Sequence, residues 1–314
     1  MTDIVDKKIV NNSVDGEQEF DVDSINAINR RSFHDKLKEY KSRPGSLALN
    51  VLVHLAMIIT VASIGFLLVY VLVKGIPNLN GEIFSWEYTS DNCSLVPALI
   101  NTVFMTLLSL LIAGPIGIFA AIYLVEYAKP GNKVVGIVRI TAETLTGIPS
   151  IVYGLFGMLF FTNACGLRLS LISGALTLSI MVLPVIMRTT EEALLAVPKS
   201  YREGSFGLGA GKLRTVFKVV LPSAVPGILS GVILATGRIV GETAALIYTA
   251  GSVAKMATSV LDSTRTLSVH MYLLSKEGLH TNQGYATAVV LLVLVVIINF
   301  ASDMVAKRVS AKKV

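Results

Sequence analysis

The chain has 314 residues, of which 53% are hydrophobic and only 15% charged, with a formal net charge of +6 and a mean hydropathy of +0.67. An ordinary soluble domain carries about 25% charged residues. A core hides apolar side chains but does not remove charge from whole stretches of chain, so this composition argues against a soluble enzyme. The basic surplus does not point to nucleic acid, because the Lys and Arg residues lie between apolar runs and are not interleaved with aromatics.

Residues 1–45 are polar, first acidic (Asp15, Glu17, Glu19, Asp21, Asp23) and then basic (Arg30, Arg31, Lys36, Lys38, Lys41, Arg43). Burial there cannot offset the entropy of ordering, so a mobile arm is expected. The next run, Ser46–Val73, has no Asp, Glu, Lys or Arg, and the same holds for Asn92–Val125 and Gly278–Ser302. Each exceeds the roughly 20 residues that cross a bilayer. The first run is too long for the apolar region of a signal peptide and is expected to remain as an anchor. Six transmembrane helices are expected, over about 47–73, 95–126, 137–163, 169–190, 223–250 and 284–306, giving an all-α polytopic membrane protein with a membrane domain over 46–306 and a tail over 307–314.

Orientation follows from the basic residues. Of the 27 Lys and Arg, twenty fall in the arm, the two even-numbered loops and the tail, five in the odd-numbered loops, and Arg139 and Arg238 inside spans. The positive-inside rule then places both termini in the cytoplasm. Cys93 and Cys165 lack the spacing of a metal site or redox pair. They fall near the outer face, where a disulfide requires Cα atoms about 4.4–6.8 Å apart. No zinc motif, paired catalytic carboxylates or Ser-His-Asp arrangement is present, and His54 and His280 stand alone, so neither catalysis, a cofactor nor a metal is expected.

The loop Val197–Pro222 carries the densest local signals. Pro198 suits a first helical turn, and Ser200 with Glu203 has capping-box spacing. Gly207, Gly209 and Gly211 are placed to end that helix. A second helix is expected from Lys212, its apolar stripe formed by Leu213, Val216, Phe217 and Val220, with Pro222 closing the unit. A basic amphipathic element of this kind also suits a helix lying on lipid headgroups. A nucleotide-binding P-loop around Gly211-Lys212 is excluded, because Leu213 replaces the required Ser or Thr and Phe206 stands where the first glycine belongs.

Glu203-Gly204-Ser205, then Gly209, then Val219-Val220-Leu221-Pro222 resembles the E-A-A, x3, G, x9, I-x-L-P signature of importer-type ABC permeases, with Gly204 and Ser205 replacing the alanines and Val219 the isoleucine. Ile148–Phe156, Arg188-Thr189-Thr190-Glu191, Ser200–Glu203, and Gly237-Arg238 followed by Gly241-Glu242-Thr243-Ala244 are similar to the phosphate-transporting members of that family. The resemblance runs from about 47 to 306. It implies a type I ABC importer permease fold in a bacterial or archaeal cell membrane, with 197–222 as the loop that docks on an ATPase through Glu203, Gly204, Ser205, Gly209, Leu221 and Pro222. It also implies partners: a homologous phosphate permease subunit, an ATP-binding subunit dimer and an extracytoplasmic phosphate-binding protein, with inorganic phosphate as cargo. The sister permease, a permease for sulfate or molybdate, an ATP-independent transporter or channel, and a sensor remain as alternatives.

An ionisable residue at membrane depth is a functional candidate. Arg238 lies 16 residues beyond Pro222, about 24 Å along a helix. With Gly227 at zero and about 100° per residue, Arg238, Gly231, Glu242 and Ala235 fall on one face. An arginine fork suits phosphate oxygens, and Glu242, four residues on, is placed to compete for it or simply to neutralise it. The resemblance assigns Arg238 and Arg188 to the substrate path, and Glu242 joins them there as the neighbour that competes for Arg238. Positive-inside anchoring explains Arg188 as well, and Arg139 with Glu143 reads as a structural i, i+4 pair.

Overall fold

The computed structural model describes residues 44–129 and 131–311, with the side chains of 44, 303 and 305–311 outside that description. The expected N-terminal arm lies outside it up to residue 43, as do the last three residues of the tail. The chain divides into two units, Met1–Leu67 and Leu68–Val314.

Helix α1 (Pro44–Gly75) supplies everything described of the first unit and runs on into the second. It is apolar on every side, its large hydrophobic side chains from Leu47 to Leu67 are exposed, and Lys74 complements the dipole at its C-terminus. Beyond Leu67 it ends against α10 (Thr281–Ala311): a Cβ added to Gly75 would collide with the Tyr285 carbonyl, which only glycine permits.

The second unit is a helical bundle. Helix α2 (Val96–Tyr127) starts with Pro97 in its first turn, where a missing N–H costs nothing, and ends in a wide π turn, Tyr123–Tyr127. Helix α5 (Leu171–Leu195) is capped by the Ser170 hydroxyl and is the most buried span. Helix α7 (Lys212–Gly241) packs against it. Met105, Leu178, Met181, Val182, Ala235 and Ile239 fill the middle of the bundle. Ala121, Ile122, Leu194, Val197, Val216 and Val220 close the end that carries the Val197–Pro222 loop, the loop end. Ile83, Leu95, Ala98, Leu267 and Ala286 close the opposite end.

Two expected spans are broken. The third is a pair of helices, α3 (Lys133–Thr146) and α4 (Ser150–Ala164), bent by 105°. Pro149 causes the corner: it donates no hydrogen bond and disfavours helix in the residue before it, and Gly147 has already ended α3. Among the described residues, five helices are long and apolar enough to cross a membrane, and six if the bent pair counts as one. The expected span 223–250 stops at Gly241, because Glu242 is extended (φ −72°, ψ 129°); the chain then turns into the short α8 (Ala244–Thr249). After a loop come α9 (Leu267–Glu277), ended by Gly278 at φ +73°, and α10, whose continuation to Ala311 makes the start of the expected tail helical.

Candidate functional site

The loop Val197–Pro222 folds as a helix, a glycine turn and a second helix. Helix α6 (Lys199–Gly207) follows Pro198, which takes the N-cap position. Ser200 therefore sits inside the first turn, and the expected Ser200–Glu203 capping box is not formed. Of the three loop glycines only Gly209 is left-handed (φ +81°); Gly207 ends α6 and Gly211 precedes α7. The turn is closed by the Ala210 N–H donating to the Ser205 carbonyl at 3.1 Å, and the Ser205 hydroxyl meets the Thr215 hydroxyl at 2.9 Å. Half of the expected stripe, Val216 and Val220, is buried, while Leu213 and Phe217 are exposed beside Tyr201, Phe206 and Leu208, the last 91% accessible. Glu203 and Gly204 are exposed, and a Cβ on Gly204 would meet nothing within 4 Å. Pro222 does not close the unit: the wide turn Val216–Val220 before it takes up the missing N–H, and α7 runs through Leu221 and Pro222.

Arg202, between the exposed Tyr201 and Glu203, turns inward. Its Nη2 donates to Glu126 Oε1 at 2.7 Å and to the Leu194 carbonyl at 2.9 Å. Its Nε reaches the same carboxylate at 3.1 Å, and its Nη1 the Val197 carbonyl at 2.9 Å. The Glu126 side chain is only 8% exposed and that of Arg202 18%. Neither residue stands out in the sequence as a pair, since 76 positions separate them.

The membrane-depth charges differ from expectation. Gly231 packs on Thr189 and Gly227 on Ala193, so the small-residue face of α7 lies against α5 in an antiparallel register. That register sets Arg238 level with residue 182, roughly 9 Å along the axis from Arg188; the two arginines do not meet. Glu242 is turned away from Arg238. Buried at 8% exposure, it accepts the Ala245 N–H at 3.0 Å, where a carboxylate favours the start of α8, and its carbonyl accepts the Ser268 hydroxyl at 2.5 Å. Arg238 is half-buried, lies within electrostatic reach of the Tyr153 hydroxyl, and forms no ion pair among the described residues. The expected Arg238–Glu242 pair is absent because the helix ends between them.

At the loop end Arg139 pairs across helices with Glu191 at 2.5 Å, not with Glu143. Arg188 stands 3.4 Å from Glu192 and 3.9 Å from Glu143. These residues, with Pro184, line a cavity of about 320 Å³.

At the opposite end, Asn101 fastens the loop after α8 by donating to the Lys255 carbonyl at 2.8 Å and accepting the Ala257 N–H at 2.9 Å. Arg265 in that loop is 6% exposed, its guanidinium 4.4 Å from the Tyr88 ring centre, while its Nε and Nη2 have no hydrogen-bond partner among the described residues. His270 is fully buried edge-on to Tyr88. Burial first, and the nearby Arg265 charge second, lower its pKa to about 3. Burial raises the pKa of the Cys93 thiol. Cys93 and the exposed Cys165 are both free.

Residues 113–311 match the family described as binding-protein-dependent transport system inner membrane component. The probable ABC transporter permease protein YqgI of Bacillus subtilis is 35% identical over 272 residues, 77% of this chain and 90% of that protein. The phosphate transport system permease protein PstA 1 of Mycobacterium tuberculosis is 33% identical over 211 residues, covering 66% of this chain and 68% of its own length. A chain of a solved bacterial alginate ABC transporter superposes with a TM-score of 0.63 over 86% of this chain and 97% of that one, at 14% identity, a likeness of fold. With its bent third span, its projecting helix–turn–helix and these relatives, the chain belongs to the binding-protein-dependent ABC transporter permeases and is a multi-pass membrane subunit similar to PstA.

Proposed function

We propose that this chain is one of two homologous permease subunits of an ATP-driven importer of inorganic phosphate. The observation that carries the reading is Arg238: a half-buried guanidinium on a spanning helix whose nearest carboxylate in sequence, Glu242, is occupied as a helix cap. A permanently charged fork without a counter-ion is a receptor for an oxyanion. With no carboxylate in ion-pair contact among the described residues, the donors are available to cargo. The PstA relatives support phosphate as that oxyanion.

In this reading the Val197–Pro222 loop faces the cytoplasm, as its basic residues favour. Glu203, Gly204, Ser205 and Gly209 present the exposed apolar tip around Leu208 to an ATP-binding subunit dimer, and Leu221-Pro222 leads the chain back into the membrane. An extracytoplasmic phosphate-binding protein delivers cargo at the opposite end. Arg188, in the loop-end cavity, meets the anion nearer the cytoplasm than Arg238. Transport by the purified complex in proteoliposomes tests this. ATP-dependent uptake of labelled phosphate, undiminished by excess sulfate or molybdate and lost in Arg238→Ala with assembly retained, is expected. Competition by sulfate or molybdate makes this a permease for that oxyanion, and uptake driven by an ion gradient without ATP removes the importer reading.

A further inference from the structure

We infer that the Arg202–Glu126 pair, together with the wide turn Tyr123–Tyr127, is the joint through which the docking loop moves the bundle. The inference rests on reading Val197–Pro222 as the ATPase-docking loop and adds the element that receives its motion. A loop transmits a push only if it cannot swing independently of the helices behind it. Helix α6 has nine residues, is exposed along most of its length, and hangs from a three-residue link, 196–198. Beyond that link and the Gly209 turn into α7, its backbone makes no hydrogen bond to α2 among the described residues.

Arg202 removes the hinge. Its four hydrogen bonds reach three separate pieces of backbone or side chain: the end of α5 at Leu194, the link itself at Val197, and Glu126 in the terminal turn of α2. A planar guanidinium that meets a carboxylate through two nitrogens fixes direction as well as distance. The second arm of the loop is tied to the same turn, with the Lys212 ammonium 5.2 Å from the centre of the Tyr127 ring. Both arms of the loop therefore converge on residues 123–127. The i→i+5 bonding there, with the Ala128 N–H on the Tyr123 carbonyl at 2.9 Å, is a rare form of helix that is frequent at functional sites. The pair and Glu203 line one open cleft, so a force on the exposed glutamate acts one residue from the clamp. Arg202 and Glu126 are positioning residues in this scheme; neither touches cargo.

The test uses the complete importer in proteoliposomes with Glu126→Gln, which keeps shape and an acceptor but loses charge, and Arg202→Lys, which keeps charge but loses the fork. Three quantities are read: recovery of the ATPase with the permease, anion moved per ATP hydrolysed, and hydrogen exchange of the 199–207 amides. Expected are full recovery, ATP hydrolysis that continues, transport per ATP reduced about tenfold, and faster exchange in α6, with Glu126→Asp restoring part of the ratio. A transport-to-ATP ratio within twofold of wild type in both assembled variants overturns the inference, as does loss of ATPase recovery in both, which would make the pair an assembly element. An otherwise unchanged chain carrying Leu208→Cys that never cross-links to the ATPase refutes the docking reading itself, a separate result.

Discussion

Two arginines mark the two ends of the bundle, and they are buried in opposite ways. Arg202 at the loop end has a partner for each of its nitrogens and a carboxylate in contact. Arg265 at the other end is more deeply buried, yet it rests on a tyrosine ring with two nitrogens unmatched among the described residues. Burial alone therefore says little about what a charge contributes. A satisfied guanidinium is a fastener, whereas an unsatisfied one carries a desolvation penalty that the rest of the fold offsets.

Replacing each arginine by methionine breaks or sharpens this contrast most directly. Arg202→Met leaves Glu126 buried without compensation and is expected to destabilise the protein by about 3–5 kcal/mol, read as a lowered midpoint of thermal unfolding in detergent. A value below about 1 kcal/mol would mean that water replaces the lost bonds. Arg265→Met removes the unmatched donors while filling similar volume, and its expected effect is within about 1 kcal/mol of zero. A loss as large as that of Arg202→Met would show that the stacking on Tyr88 is a strong bond in its own right.

His270, beside Arg265, sharpens the comparison through pH. Its folded pKa of about 3 lies below the unfolded value of 6.5, so the unfolded chain takes up the proton first as pH falls. Stability is then complete above about pH 6.5 and declines towards pH 3, by about 2 kcal/mol at pH 5. His270→Gln should flatten the thermal midpoint between pH 7 and 5, and an unchanged slope would place the proton elsewhere. Between the two ends, Gly231→Val drives a side chain into Thr189 and is expected to cost about 1–3 kcal/mol; adding Thr189→Ala should recover part of it. A gain is expected from Gly204→Ala on the exposed α6, which should raise stability by about 0.4–1 kcal/mol.

The contrast also explains what could be read from sequence. Hydropathy located the spans because lipid imposes a length and a composition that need no knowledge of neighbours. The helix–turn–helix of Val197–Pro222 is legible because its signals, Pro198, Gly209 and half of the stripe from Lys212, act within a few residues of themselves. The Arg202–Glu126 bond was not, because a basic residue beside an exposed glutamate looks like surface until topology brings residue 126 alongside. The same limit misassigned Arg139 to Glu143: helix spacing allows that pair, but the packing of α3 on α5 offers Glu191 closer. Glu242 failed for a local reason, as a glycine and a carboxylate end a helix that hydropathy alone carries onward.

The corner at Gly147-Ile148-Pro149 bears on how the subunit sits among its neighbours. Its peptide groups are partly tied up locally: the Gly147 N–H reaches the Thr144 carbonyl at 3.1 Å, and the Tyr153 hydroxyl donates to the Leu145 carbonyl at 2.7 Å. Gly147 and Pro149 nevertheless face outward from this chain, midway along a stretch that hydropathy assigns to the bilayer interior. Acyl chains offer nothing to an open peptide group, so a right-angled elbow of this kind is cheapest where a second protein surface or a file of water presses against it.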